Sequence, residues 1–215
     1  MRKKSHYWAG KLVVSYLDAG TLSSHRKAFI LGNILPDVKP SFVYRKHEYT
    51  KTVERLKKSV DTIARGTLRR HIDDRVYWRR TGEILHFVAD YFTYPHNKEF
   101  KGGFMQHNAY EQQLKLYFKR YVKSGRALKE VTAQPQPHFQ NIDEIFDYIA
   151  DQHDLYRKKG FFSVESDAEY IARMCCQVAQ GVWDVRRMAR ESAEPHVAKL
   201  KHAGKKQLRR LRHMS

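Results

Sequence analysis

Apolar residues recur at three- and four-residue spacings through most of the chain, which places them on one face of an α-helix. Over residues 5–19 the stripe is Tyr7, Trp8, Leu12, Val13, Tyr16 and Leu17, and Gly20 reads as its C-cap. Ser23 or Ser24 can open a second, short helix through Leu31. Asn33-Ile34-Leu35-Pro36-Asp37 closes it, because the residue before a proline avoids the helical region. Residues 38–47 read as a loop carrying Pro40, Phe42 and Tyr44. The pattern predicts further helices over 49–65 and 73–93, and Pro95 leaves His96 just past the end of the second. Gly102-Gly103 is a break. A long helix over 104–123 follows, with Tyr110, Leu114, Tyr117, Phe118 and Tyr121 on one side as core. A hinge at Gln134-Pro135-Gln136-Pro137 precedes helices over 141–158 and 166–191, started by Asn141 or Asp143 and by Ser166 with Glu169. No alternating run is long enough to demand a sheet. The expected fold is all-α: a single-domain multi-helix bundle over residues 1–194, followed by a basic tail over 195–215.

Composition narrows the picture. The 215 residues are 41% apolar and 13% aromatic, enough for one well-filled core rather than a disordered chain. No apolar run approaches the roughly 18 residues that a membrane span needs. The apolar stretch after Met1-Arg2-Lys3-Lys4 is short and broken by Lys11, which predicts no signal peptide and a cytoplasmic location. Cys175 and Cys176 are adjacent, so they supply no disulfide framework. The net charge of +18 favours polyanions or an anionic membrane surface as partners. The segment from Lys199 to Arg212 is strongly basic, and no acid follows Glu194. That tail could contact lipid headgroups or nucleic acid, or simply be solvated.

Candidate chemistry is concentrated between His86 and Glu111. The order is His86-x3-Asp90-x5-His96-x10-His107-x3-Glu111. His86 with Asp90, and His107 with Glu111, each stand one helical turn apart and share a face. Such a pair can reach one cation. Imidazole with carboxylate and no thiolate suits catalytic rather than structural zinc. A lone pair of this kind is more often an ordinary hydrogen bond. Two pairs with a third histidine between them suggest several ions in one pocket. Leu85, Phe87, Val88 and Ala89 surround His86 and Asp90, and a buried carboxylate needs a partner.

This spacing resembles the zinc-dependent phospholipase C family, whose distant relatives are the single-strand-specific zinc nucleases. The resemblance extends upstream. Ser5-His6-Tyr7-Trp8 is similar to the segment carrying the family's first ligand histidine. Gly32-Asn33-Ile34-Leu35-Pro36-Asp37 is similar to its Gly-x-x-x-Pro-Asp segment, and His47 stands where a second loop histidine belongs. The resemblance implies one zinc surrounded by Asp37, His47, His86 and Asp90, and a second held by His96, His107 and Glu111. A third would rest on His6 and a bridging Asp90. In the family this third ion is completed by the amine and carbonyl of an N-terminal tryptophan. Here Met1 stands instead, so the expectation is two zinc ions, with a third conditional on a substitute for that terminus. Other readings stay open for single residues. His6 could be a surface residue, Asp37 a cap or turn residue, and His47 a solvated loop histidine. His25, His71, His138, His153, His196, His202 and His213 lack the pattern and read as surface residues.

The implied activity is phosphodiester hydrolysis, with Asp37 doubling as general base. The first expectation is a phospholipase C-like enzyme that cleaves a phospholipid to diacylglycerol and a phosphorylated headgroup, seated on an anionic leaflet through its tail. Alternatives are a nuclease or phosphomonoesterase on the same scaffold, or a non-catalytic basic metal-binding protein. Asn97, Asn108 or nearby carboxylates could orient the histidines. Phe42 and Tyr44 could wall a headgroup site, although loop packing explains them as well.

Overall fold

The computed structural model describes residues 1–17, 19–38, 48–64 and 72–212, with side chains as far as residue 192. Among the described residues it is all-α. The helices are α1 (Lys3–Tyr16), α2 (Gly20–Ile34), α3 (Tyr49–Ala64), α4 (Asp74–Tyr91), α5 (Phe104–Lys123), α6 (Arg126–Thr132), α7 (Ile142–Lys158) and α8 (Val164–Arg212). Short 3-10 turns at Leu35–Asp37 and Tyr94–His96 follow α2 and α4. None of the described helices is long and apolar enough to cross a membrane.

Helix α4 is the centre of the molecule and packs against α1, α2, α3 and α8. Asp73 caps it, accepting from the backbone N–H groups of Arg75 and Val76. Its Tyr77, Trp78, Leu85 and Val88 are fully buried. Each such side chain contributes about 1.5–3 kcal/mol by leaving water. The Trp78 indole donates to Thr21 Oγ1 on α2 at 3.0 Å. Arg186 of α8 lies 3.6 Å from the Tyr77 ring centroid and donates to Asp74 at 2.7 Å.

The α2–α4 crossing is unusually close, and two glycines permit it. A Cβ on Gly32 would stand 2.0 Å from the Arg79 carbonyl oxygen, and one on Gly82 would stand 2.2 Å from that of Phe29. Both obstacles are backbone and cannot swing aside. The crossing brings the end of α2, which carries Asn33 and leads into Asp37, against the middle of α4.

Several element boundaries differ from the sequence expectation. Gly20 is the first residue of α2 rather than a cap, because α1 ends on Leu17 in an extended conformation (φ −88°, ψ 108°) that needs no left-handed residue. Helix α2 starts before Ser23 and continues past Leu31 to Ile34. Leu35, before Pro36, is helical (φ −55°, ψ −41°), since proline fits the first turn of a new 3-10 segment. Helix α6 was not anticipated. It has seven residues and opens on Gly125 at φ 79°. Helix α8 starts at Val164, with Ser163 Oγ accepting from the Ser166 N–H, and its backbone stays helical to Arg212 through Pro195. Tyr49–Ala64, Phe104–Lys123 and Ile142–Lys158 agree with expectation. So does the packing of Leu114, Phe118 and Tyr121 into the core. The loop residues Pro40, Phe42 and Tyr44 lie outside the described residues. Cys175 and Cys176 are free thiols buried in α8.

Candidate metal centre

Four stretches of chain converge below the α2–α4 crossing. His6 comes from the second turn of α1, and Asp37 from the 3-10 turn after α2. His86 and Asp90 come from the last turns of α4, and His96 from the 3-10 turn that follows. His107 and Glu111 come from the first two turns of α5. His47 lies outside the described residues.

Asp90 is fully buried at the centre. Its Oδ1 is 3.4 Å from His6 Nε2, and its Oδ2 is 3.3 Å from His86 Nε2 and 3.9 Å from His96 Nδ1. Asp37 faces the same two imidazoles, with Oδ2 3.8 Å from His6 Nε2 and Oδ1 3.6 Å from His86 Nε2. The His6 and His86 rings stack with centroids 3.7 Å apart. Glu111 Oε1 is 3.1 Å from both His96 Nε2 and His107 Nε2. Two groups of potential ligands result: His6, His86 and Asp90, and His96, His107 and Glu111. Asp90 stands between them.

The groups holding these side chains are visible. His86 Nδ1 is 2.9 Å from the Asn33 carbonyl oxygen. A proton on Nδ1 satisfies that oxygen and turns the Nε2 lone pair toward Asp90 and Asp37. Asn97 donates to the carbonyls of Tyr91 and Thr93, which closes the turn carrying His96, and its Oδ1 is 2.8 Å from His153 Nε2. His153 is therefore buried at a second layer and is not the surface residue its sequence context suggested. Asn108 does not orient a histidine. Its side chain donates to the Phe104 carbonyl.

Two groups escaped the sequence reading. Asp167 at the start of α8 is buried and accepts from the Tyr94 N–H at 2.8 Å, the Tyr110 hydroxyl at 2.8 Å and the Tyr156 hydroxyl at 2.7 Å. Tyr94 precedes His96 and Tyr110 precedes Glu111, so one carboxylate ties together both segments of the second group. In sequence Asp167 is one of three acids in the first turns of a helix, between Glu165 and Glu169, and nothing sets it apart from them. Burial pushes its carboxyl up to about 7, against the pull of those three donors. The second group is the Met1 amine, 2.7 Å from Asp90 Oδ1, 2.9 Å from Glu111 Oε1 and 2.8 Å from His96 Nε2.

Electrostatics suit a cation. Burial opposes the charge on the Met1 amine, yet Asp90 and Glu111 outweigh it and raise the amine to about 10. Burial alone would raise Asp90 and Glu111. The Met1 ammonium and the surrounding imidazoles instead hold both well below the carboxylate range. Burial, reinforced by His86, lowers His6 to about 3, and burial with the Met1 ammonium lowers His96. His6 and His96 are thus neutral and able to donate a lone pair.

A sequence model of the zinc-dependent phospholipase C family matches residues 5–163. This is well over half of the chain and includes both groups. The chain belongs to the zinc-dependent phospholipase C family. No curated protein and no solved structure matched. Membership in this phospholipase C family makes the chain a zinc-dependent hydrolase of the phospholipase type, with an all-α fold.

The residues fit zinc. Both ring nitrogens of buried His6 lack a hydrogen-bond partner, a costly arrangement unless a lone pair is used. The Met1 ammonium already stands as a cation between the two carboxylates. The donors are imidazole and carboxylate throughout, the set that catalytic zinc takes.

Proposed function

We propose that this protein hydrolyses the phosphodiester of a membrane phospholipid, releasing diacylglycerol and a phosphorylated headgroup. The carrying observation is the pair of histidine–carboxylate groups adjoining at buried Asp90, inside the segment matched by the family. His6, Asp37, His47, His86 and Asp90 would hold zinc on one side, and His96, His107 and Glu111 on the other. When bound, zinc neutralises charge on the phosphoryl oxygens and lowers the pKa of water from about 15.7 toward 7.

The chain supplies the rest. Asp37 is the proposed general base: it faces His6 and His86 from a 3-10 turn and would take the proton that the attacking water loses. The water oxygen bonds to phosphorus as the bond from phosphorus to the glycerol oxygen breaks. The leaving oxygen takes a proton from solvent and departs as the hydroxyl of diacylglycerol, and Asp37 returns its proton to solvent. Asn33, through its carbonyl, keeps His86 in one tautomer, and Asp167 fixes the turn that carries His96.

A panel of diesters tests this. Chelator-sensitive hydrolysis of phosphatidylcholine and of a chromogenic phosphocholine diester supports the reading. Preference for single-stranded nucleic acid would replace it with a nuclease, which the net charge of +18 favours. Full zinc loading without turnover of any phosphoester would leave a non-catalytic metal protein.

A further inference from the structure

Phe104 and Met105 are the most exposed large apolar residues described, at 83% and 82%. Single exposed apolar residues are common, but two in succession on the first turn of a 20-residue helix are not explained by packing. Gly103 caps that helix and Asn108 secures its first turn by donating to the Phe104 carbonyl, so the pair is held outward on fixed backbone.

Their position relative to the metal centre is set by the helix. Phe104 stands three residues before His107 and so shares its face. His107 is itself about a third exposed, at 34%, where the rest of the centre is nearly closed. The centre therefore meets solvent within about one turn, roughly 5 Å, of the Phe104 position.

The surroundings are cationic. Arg2 donates to the Asn108 carbonyl, which brings the start of α1 beside the first turn of α5. Lys3 and Lys4 follow it, exposed, and Lys98 and Lys101 precede Gly102 on the other side, also exposed. Glu99 is the sole acid in residues 1–4 and 98–105, and Arg157 engages its carboxylate through two N–H groups at 2.9 and 2.7 Å. An exposed apolar pair whose flanking segments carry five cations matches an anionic lipid leaflet: acyl chains take Phe104 and Met105, and phosphates take the cations.

We propose that Phe104 and Met105 form an interfacial anchor that inserts into an anionic bilayer and sets the mouth of the metal centre at headgroup depth. The proposal rests on the phospholipase reading for its purpose, but its test does not depend on turnover. Full-length protein is mixed with phosphatidylcholine vesicles with and without phosphatidylglycerol, and binding is read by co-sedimentation. Phe104→Ser and Met105→Ser should each weaken partitioning roughly tenfold, and Lys98→Glu with Lys101→Glu roughly fivefold per charge on the anionic vesicles alone. Phe104→Trp should restore binding, and its emission should shift to the blue on vesicle addition. Hydrolysis of a soluble chromogenic diester should be unchanged in the two serine variants. Serine variants that bind vesicles as the wild type does would overturn the proposal. So would a Phe104→Trp signal indifferent to vesicles, or a dimer in solution that the serine variants dissociate. Absence of all hydrolysis with vesicle binding intact would refute the proposed function and leave the anchor standing.

Discussion

At the scale of single residues, the centre depends on groups that hold ligands as much as on the ligands. Asp167 makes no hydrogen bond to the proposed metal-binding side chains, yet it accepts one from the segment carrying His96, one from the segment carrying Glu111 and a third from Tyr156 on α7. Asp167→Ala leaves the buried Tyr156 hydroxyl and the Tyr94 N–H without an acceptor. We expect a loss of roughly 3 kcal/mol in urea unfolding. We also expect a zinc affinity weakened about tenfold or more at one site only, as measured by chelator competition. Equal weakening of every site would mean a general loss of fold instead. The sequence made the metal-competent side chains legible because histidine and carboxylate at one-turn spacing carry their chemistry openly. It hid Asp167, whose role depends on partners far away in sequence, and His153, whose burial follows from contacts with Asn97 and the rings of Tyr49 and Phe92.

At the scale of elements, the geometry of the centre is a consequence of the α2–α4 crossing. Gly32 and Gly82 let two backbones approach until the Asn33 carbonyl meets His86. Gly82→Ala would force the helices apart against the Phe29 carbonyl. We expect destabilisation of at least about 2 kcal/mol, seen as a lowered Tm, and zinc binding impaired at the His86 side. An unchanged Tm would show that the crossing yields easily. Helices with long apolar stripes, such as α3, α5 and α7, were readable to within a residue or two. The failures fell where local rules compete. Gly20 resembled a cap but opens a helix, Leu35 is helical despite the following Pro36, and α6 is too short for a periodic stripe. The crossing itself could not be read, because a glycine's value there lies in what it lets approach.

At the scale of the whole molecule, burying so many imidazoles makes stability depend on acid. His6 is lowered to about 3 from an ordinary 6.5, so the folded state binds fewer protons between those values. Its contribution is fully present above 6.5 and is lost as pH falls through the window. Asp167 acts oppositely: raised to about 7 from 3.8, its contribution is present below 3.8 and is lost as pH rises. The difference between wild type and His6→Asn removes the Asp167 part. In metal-free protein the variant should therefore flatten the stability profile between 6.5 and about 3 by urea unfolding, and parallel profiles would contradict the assignment. The central claim is that Asp90 joins two histidine–carboxylate groups into one zinc centre. The most direct measurement is the zinc content of purified Asp90→Ala beside wild type, with helical content followed by circular dichroism. The account predicts depleted zinc, no diester hydrolysis and nearly unchanged helicity. Asp90→Ala with the full zinc complement of the wild type would contradict it.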